Sequence, residues 1–95
     1  MVVRCSQLER TLNMKQLLEF RTRNLRKVSA FDTEEEFLGE KVYAIVTVSS
    51  KGERLVRFGN ETQMMSILIG YKNSVIPDEQ YRDYEAFVNE RYYRN

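Results

Sequence analysis

The strongest constraint on the fold is the segment 42–48, whose side chains are β-branched or aromatic nearly throughout. Residues of these types favour extended backbone, so the segment predicts a β-strand. The strand is apolar on both of its faces, and a strand of this kind is usually covered on both sides. The rest of the chain must therefore supply elements that pack against it.

Residues 49–53, with Gly52 at a position that needs a positive φ, predict a hairpin loop after this strand. Residues 54–58 predict its partner strand because their side chains alternate. One face carries Leu55 and Arg57, and the other carries Arg54, Val56 and Phe58. An arginine on each face is typical of an edge strand that is protected against further pairing. Two strands alone are marginally stable, so helices or a further strand must cover them.

The N-terminal region predicts a long helix. Ser6 and Glu9 fit a capping box, which favours a helix that begins at Gln7 and ends near Val28. An apolar stripe at helical spacing supports the second part only. The stripe consists of Met14, Leu17, Leu18, Leu25 and Val28. We expect either a helix that bends where the stripe breaks, or an arm over residues 1–13 that packs separately or is mobile.

An acidic segment follows this region. Thr33 and Glu36 form a second capping box, which predicts a short helix over residues 34–38. Gly39 then lies where such a helix would need a left-handed terminator.

Two more helices are predicted in the C-terminal third. Asn60 resembles an N-cap for a helix that runs to about Tyr71, although the apolar run at 66–71 is also compatible with a third strand. Pro77 suits the first turn of a last helix. That helix would place Tyr81, Tyr84, Val88 and Tyr92 along one side.

These elements predict one small domain of the α+β class over residues 1–95, with an antiparallel β-hairpin or small sheet packed against three helices, the short segment at 34–38 being little more than a helical turn. A chain of 95 residues, 42% of them apolar, has room for one hydrophobic core.

The composition argues against an enzyme. The chain has no histidine and one cysteine, Cys5, so it lacks the usual sets for nucleophilic catalysis or structural zinc. Neither a phosphate-binding glycine loop nor a membrane-spanning apolar run occurs. We therefore expect a cytoplasmic binding or regulatory protein that needs no cofactor or metal.

Two binding modes are compatible with the sequence. The first is protein–protein contact, most simply as a homodimer, through apolar and tyrosine side chains that exceed what a hairpin can cover. The predicted interface, which would also form the core, comprises Met64, Ile67, Leu68, Tyr71, Tyr81, Tyr84 and Tyr92. The alternative is nucleic-acid binding through a basic face of the N-terminal helix, supported by the edge strand. Its residues are Lys15, Arg23, Arg26, Lys27, Arg54 and Arg57.

Overall fold

The computed structural model of the protein describes residues 14–92, which form four strands followed by two helices. The strands are β1 (Lys15–Arg21), β2 (Lys27–Phe37), β3 (Glu40–Val48) and β4 (Arg54–Gly59), and the helices are α1 (Glu61–Ile69) and α2 (Glu79–Tyr92). Consecutive strands pair antiparallel, so the sheet order is β1-β2-β3-β4. Short turns join all four strands, as antiparallel pairing permits.

This architecture corrects the predicted fold class. The protein is a small α+β domain, but the sheet has four strands, and two helices rather than three lie among residues 14–92. The predicted strand at 42–48 and its hairpin to residues 54–58 are confirmed, with Gly52 at a φ of 88°. The error lies in the N-terminal half, where two predicted helices are replaced by β1 and β2.

The first of these errors is the long helix. Between residues 15 and 28 the chain forms β1, a turn and the start of β2, and its side chains alternate with period two. Leu18 and Phe20 are buried, whereas Glu19 and Arg21 are exposed. The capping box at Ser6 and Glu9, and the arm over residues 1–13, lie outside the described residues.

The turn between β1 and β2 contains no glycine, and Leu25 takes the positive φ of 64° instead. Hydrogen bonds of the Thr22 side chain hold this turn. Its hydroxyl donates to the side-chain oxygen of Asn24 and accepts from the Arg26 amide at 3.1 Å. Leucine rarely occupies the left-handed region, so the hairpin lacks the usual sequence signal for a turn.

The short acidic helix over residues 34–38 is also wrong, because β2 continues to Phe37. A β-bulge between Asp32 and Glu35 interrupts its pairing with β3. Glu34 has a φ of 62° there, and its amide donates to the Asp32 carboxylate at 2.7 Å. Gly39 does adopt a positive φ, of 83°, but in the turn between two strands rather than at a helix end.

The C-terminal helices are close to the prediction. Asn60 caps α1, and a reciprocal pair of 2.8 Å hydrogen bonds joins it to Gln63. The helix ends at Ile69, so the alternative strand at 66–71 is wrong. The last helix begins at Glu79, and the Asp78 carboxylate accepts from the Gln80 amide at 2.8 Å.

Both helices pack on one face of the sheet, which we call the covered face. Its strand residues include Leu18, Phe20, Val28, Ala30, Tyr43 and Ile45, all at most 8% exposed. They form one core cluster with side chains of both helices. The ring of Phe20 lies at the centre of this cluster, with edge contacts to Tyr71 and Tyr84 at centroid distances of 6.0 and 5.2 Å.

Candidate protein-binding face

The residues that alternate with the covered face form a second surface, which we call the outer face. The side chains of the outer face are not part of the core cluster that α1 and α2 form with the sheet. No other described element packs on this face. The strand register arranges the outer face in rows that cross the sheet. The basic row is Arg21, Lys27, Val48 and Arg54; the valine row is Glu19, Ser29, Val46 and Val56; the phenylalanine row is Gln16, Phe31, Ala44 and Phe58.

The centre of the outer face is apolar. We define the apolar patch as Phe31, Ala44, Val46, Val56 and Phe58, which are contiguous across β2, β3 and β4. Ala44 lies between Phe31 and Phe58 and is 1% exposed, Val46 on the same strand is 6% exposed, and Phe58 on the edge strand is 49% exposed. Phe31 and Val56 are half-buried. The patch thus presents apolar side chains that α1 and α2 leave uncovered.

Two concavities adjoin the apolar patch, one at each end of the strands. The first, of about 400 Å³, lies over the basic and valine rows, and its lining includes Lys27, Val46 and Arg54. The second, of about 440 Å³, lies where the β2–β3 hairpin meets the start of α1, and its lining includes Val42 and Phe58. A surface with an apolar centre and hollows at both ends can receive protruding side chains of another molecule.

One end of the outer face is positively charged. Arg21, Lys27 and Arg54 lie in one row across three strands. The Lys27 ammonium is 3.7 Å from the Glu19 carboxylate in the next row. Arg21 and Arg54 make no ion pair with any residue between 14 and 92. This end therefore has cationic groups available for an acidic partner.

The opposite end is negatively charged. Beyond the phenylalanine row the β2–β3 ribbon continues, and Glu35 pairs with Val42 while Phe37 pairs with Glu40. By alternation, Glu35 and Glu40 belong to the outer face. The Glu40 carboxylate accepts a 3.0 Å hydrogen bond from the Asn60 side chain, which anchors it near the start of α1. The outer face thus has opposite charges at the two ends of the strands.

The buried carboxylate of Asp32 lies on the covered face at this same end of the strands. Asp32 is 9% exposed, and its carboxylate accepts a 2.8 Å hydrogen bond from the Lys41 ammonium. Burial alone would raise the pKa of Asp32, but the hydrogen bonds from Lys41 and the Glu34 amide outweigh burial and lower it. The same contact raises the pKa of Lys41. This pair holds the β2–β3 ribbon together beside the bulge.

The structure places most of the predicted interface residues inside the domain. Met64, Leu68 and Tyr84 are at most 3% exposed and belong to the core. Ile67, Tyr71 and Tyr81 are half-buried against that core, and Tyr92 is 58% exposed. The predicted core role therefore holds for six of these residues and is wrong for Tyr92, and the role of the group in a partner contact stays a prediction.

The six cations of the nucleic-acid alternative are divided between the two faces. Lys27 and Arg54 share the basic row of the outer face. Arg26 and Arg57 line a concavity beside α1 on the covered side. Lys15 begins β1 opposite Asp32, and Arg23 lies in the turn after β1, where its amide donates to the Ser74 carbonyl. The basic helix face that was expected to unite them does not exist in residues 15–28.

Sequence reasoning found part of the apolar patch and missed the rest. It placed Val56 and Phe58 on one face of their strand, and the pairing confirms this. It missed Phe31, because that residue followed a predicted helix. The signal that could have located it is the alternation of Val28, Ala30 and Asp32 with Ser29 and Phe31.

Other kinds of site find little support in the described part of the chain. Between residues 14 and 92, no three Cys, Asp or Glu side chains converge in a way that could hold a metal ion. Neither α1 nor α2 has the length and apolar character needed to span a bilayer. Comparison of the chain with protein-family models, curated proteins and solved structures found no match.

Proposed function

We propose that this chain is a small non-enzymatic binding protein that acts through protein–protein contact, and that its first partner is a second copy of itself bound through the outer face. The apolar patch carries this proposal, because it is contiguous on a sheet face that α1 and α2 leave uncovered. Surfaces of this kind on small domains mark interaction sites. With one cysteine in the chain, a reducing compartment such as the cytoplasm is the proposed setting.

A second copy suits this surface better than an unrelated protein because the outer face is complementary to itself. Its apolar centre is flanked by a basic row at one end and by Glu35 and Glu40 at the other. Three rows on four strands span roughly 20 Å by 20 Å, given normal strand spacing and rise, which is smaller than a standard interface. We therefore expect a dimer with a dissociation constant in the micromolar range.

The test uses two substitutions on one strand. Phe58 and Leu55 are both in β4, are 49% and 48% exposed, and lie on opposite faces of the sheet. We expect Phe58→Ser to weaken dimerisation by about tenfold or more, since aromatic anchors dominate contact energies, and Leu55→Ser to leave it unchanged. Sedimentation velocity from about 5 to 500 µM would bracket a micromolar dissociation constant. A wild-type protein that stays monomeric throughout, or equal effects of the two substitutions, would contradict the proposal.

A second candidate function is binding of single-stranded nucleic acid on the same face. Phe31 and Phe58 flank Ala44 in one row, and the basic row lies two rows away. Aromatic side chains on an exposed sheet can stack on unpaired bases while nearby cations contact phosphates. Self-association ranks first because Glu35 and Glu40 at the other end of the face would repel a phosphate backbone.

Fluorescence anisotropy with a labelled single-stranded pool tests this candidate. Binding should weaken steeply as salt rises, and Arg54→Glu should reduce it more than Lys72→Glu, which changes an exposed cation after α1 by the same charge. Absence of binding at low salt would eliminate nucleic acid as a ligand of this face.

A further inference from the structure

The charges on the outer face discriminate between the ways in which two copies can meet. Lys27 lies opposite Val48 and Glu35 lies opposite Val42, so the two charged positions of β2 are six residues apart along β3. This separation corresponds to roughly 20 Å at the normal rise of a strand. Because the apolar patch lies between them, a partner that covers the patch must also meet both charged ends.

Two copies that use the same face must be related by a twofold axis in the plane of the contact. If the axis runs parallel to the strands, β1 of one copy lies over β4 of the other, and the two basic rows meet. Arg21 then opposes Arg54 of the second copy. If the axis runs perpendicular to the strands, each strand lies over its own counterpart in the reverse direction. The basic row then meets the acidic end.

We infer that the second copy packs with its strands reversed, so that Lys27 of each copy faces Glu35 of the other. This inference rests on the self-association proposed above and specifies its geometry. In this arrangement the phenylalanine row of one copy packs against the valine row of the other. Facing sheets lie about 10 Å apart, a gap that apolar side chains fill and that long charged side chains span. Like-charged ends in register would instead oppose association.

Charge reversal at the two ends tests the orientation. Lys27→Glu and Glu35→Lys each place like charges in both symmetric contacts, so each should weaken the dimer by about tenfold. The double variant Lys27→Glu with Glu35→Lys restores opposite charges and should return the dissociation constant to within about threefold of the wild type. Lys72→Glu and Glu85→Lys are matched controls on exposed positions outside the outer face, and neither should change it.

Salt dependence gives a second readout with the unaltered protein. If opposite charges meet, the dissociation constant should rise between about 50 and 500 mM NaCl, because salt screens attraction. The parallel-axis arrangement predicts the reverse, since salt would screen repulsion. A dissociation constant that falls with salt, together with tighter dimers from the single reversals, would overturn the inference. Complete absence of dimer would instead count against the proposed function.

Lys27 contacts Glu19 within one chain, and Glu35 also has an interaction within its own chain, so reversal of either residue alters a local contact. Arg54→Glu avoids this problem, because Arg54 has no ion pair among residues 14–92. It should weaken the dimer in the same direction as Lys27→Glu, with an unchanged thermal unfolding midpoint at concentrations where the protein is monomeric. An unchanged dissociation constant for Arg54→Glu, Lys27→Glu and Glu35→Lys alike would also overturn the inference.

Discussion

The two faces of the sheet use alternate residues of the same four strands, yet only one of them is closed by α1 and α2. On the covered face, Phe20 and Val28 are 1% and 0% exposed, whereas Phe58 on the outer face is 49% exposed. After β4 the chain supplies helices of 9 and 14 residues, and both pack on the covered face. The comparison separates two roles for apolar residues in one sheet. Those on the covered face stabilise the fold, and those on the outer face are proposed to bind a partner.

The two faces should differ most when one phenylalanine on each face is truncated. Phe20→Ala removes the ring between Tyr71 and Tyr84 and should lower the free energy of unfolding by about 3 to 5 kcal/mol. Phe31→Ala removes a half-buried ring from the outer face and should cost about 1 kcal/mol in the monomer. Urea denaturation at low protein concentration measures both. Equal losses would mean that the outer face is a second core closed within a single chain.

A smaller effect concerns how the covered face accommodates polar groups. The Tyr84 hydroxyl is buried and donates to the Leu68 carbonyl at 2.6 Å, which joins α2 to α1. Tyr84→Phe should therefore lower the free energy of unfolding by about 1 kcal/mol, the usual value for one hydrogen bond. Tyr81→Phe is the matched control, because Tyr81 is only half-buried and should change stability little. Similar losses in urea denaturation would show that the bond between the helices contributes nothing specific.

Some parts of the fold can be predicted from local sequence signals and others cannot. Residues 42–69 were predictable, since β3 has strand-forming residues nearly throughout 42–48, the next hairpin contains Gly52, and α1 has a complete capping box at Asn60. These signals are local. The N-terminal strands have fewer of them, because Leu25, Glu34 and Leu38 occupy positive-φ positions that glycine or asparagine usually marks, and only Gly39 follows the usual pattern there. Strand pairing across those turns determines the structure there, and a helical periodicity in the same residues is coincidental.

The candidate site was harder to predict than the fold for a related reason. The apolar patch exists only when three strands are placed in register, so Phe31, Val46 and Phe58 become neighbours through pairing rather than through sequence spacing. The predicted interface instead followed helical spacing in α1 and α2, and those residues mostly form the core. The predicted basic face was likewise divided, because alternation sends adjacent cations such as Arg26 and Lys27 to opposite faces.

The smallest expected effect concerns pH, and it too separates the faces. Asp32 contacts Lys41 and the Glu34 amide, and these contacts hold the pKa of Asp32 below its value in the unfolded chain. The contacts therefore stabilise the fold above about pH 4. This contribution is lost as the pH falls through the pKa of the folded state. Asp32→Asn should therefore reduce stability at neutral pH and flatten its decline in acid, as followed by urea denaturation from about pH 7 to 3. Asp83→Asn, at an exposed position of α2, should leave that decline unchanged. If the free energy of unfolding of Asp32→Asn declined in acid as steeply as that of the wild type, this carboxylate would not couple folding of the covered face to pH.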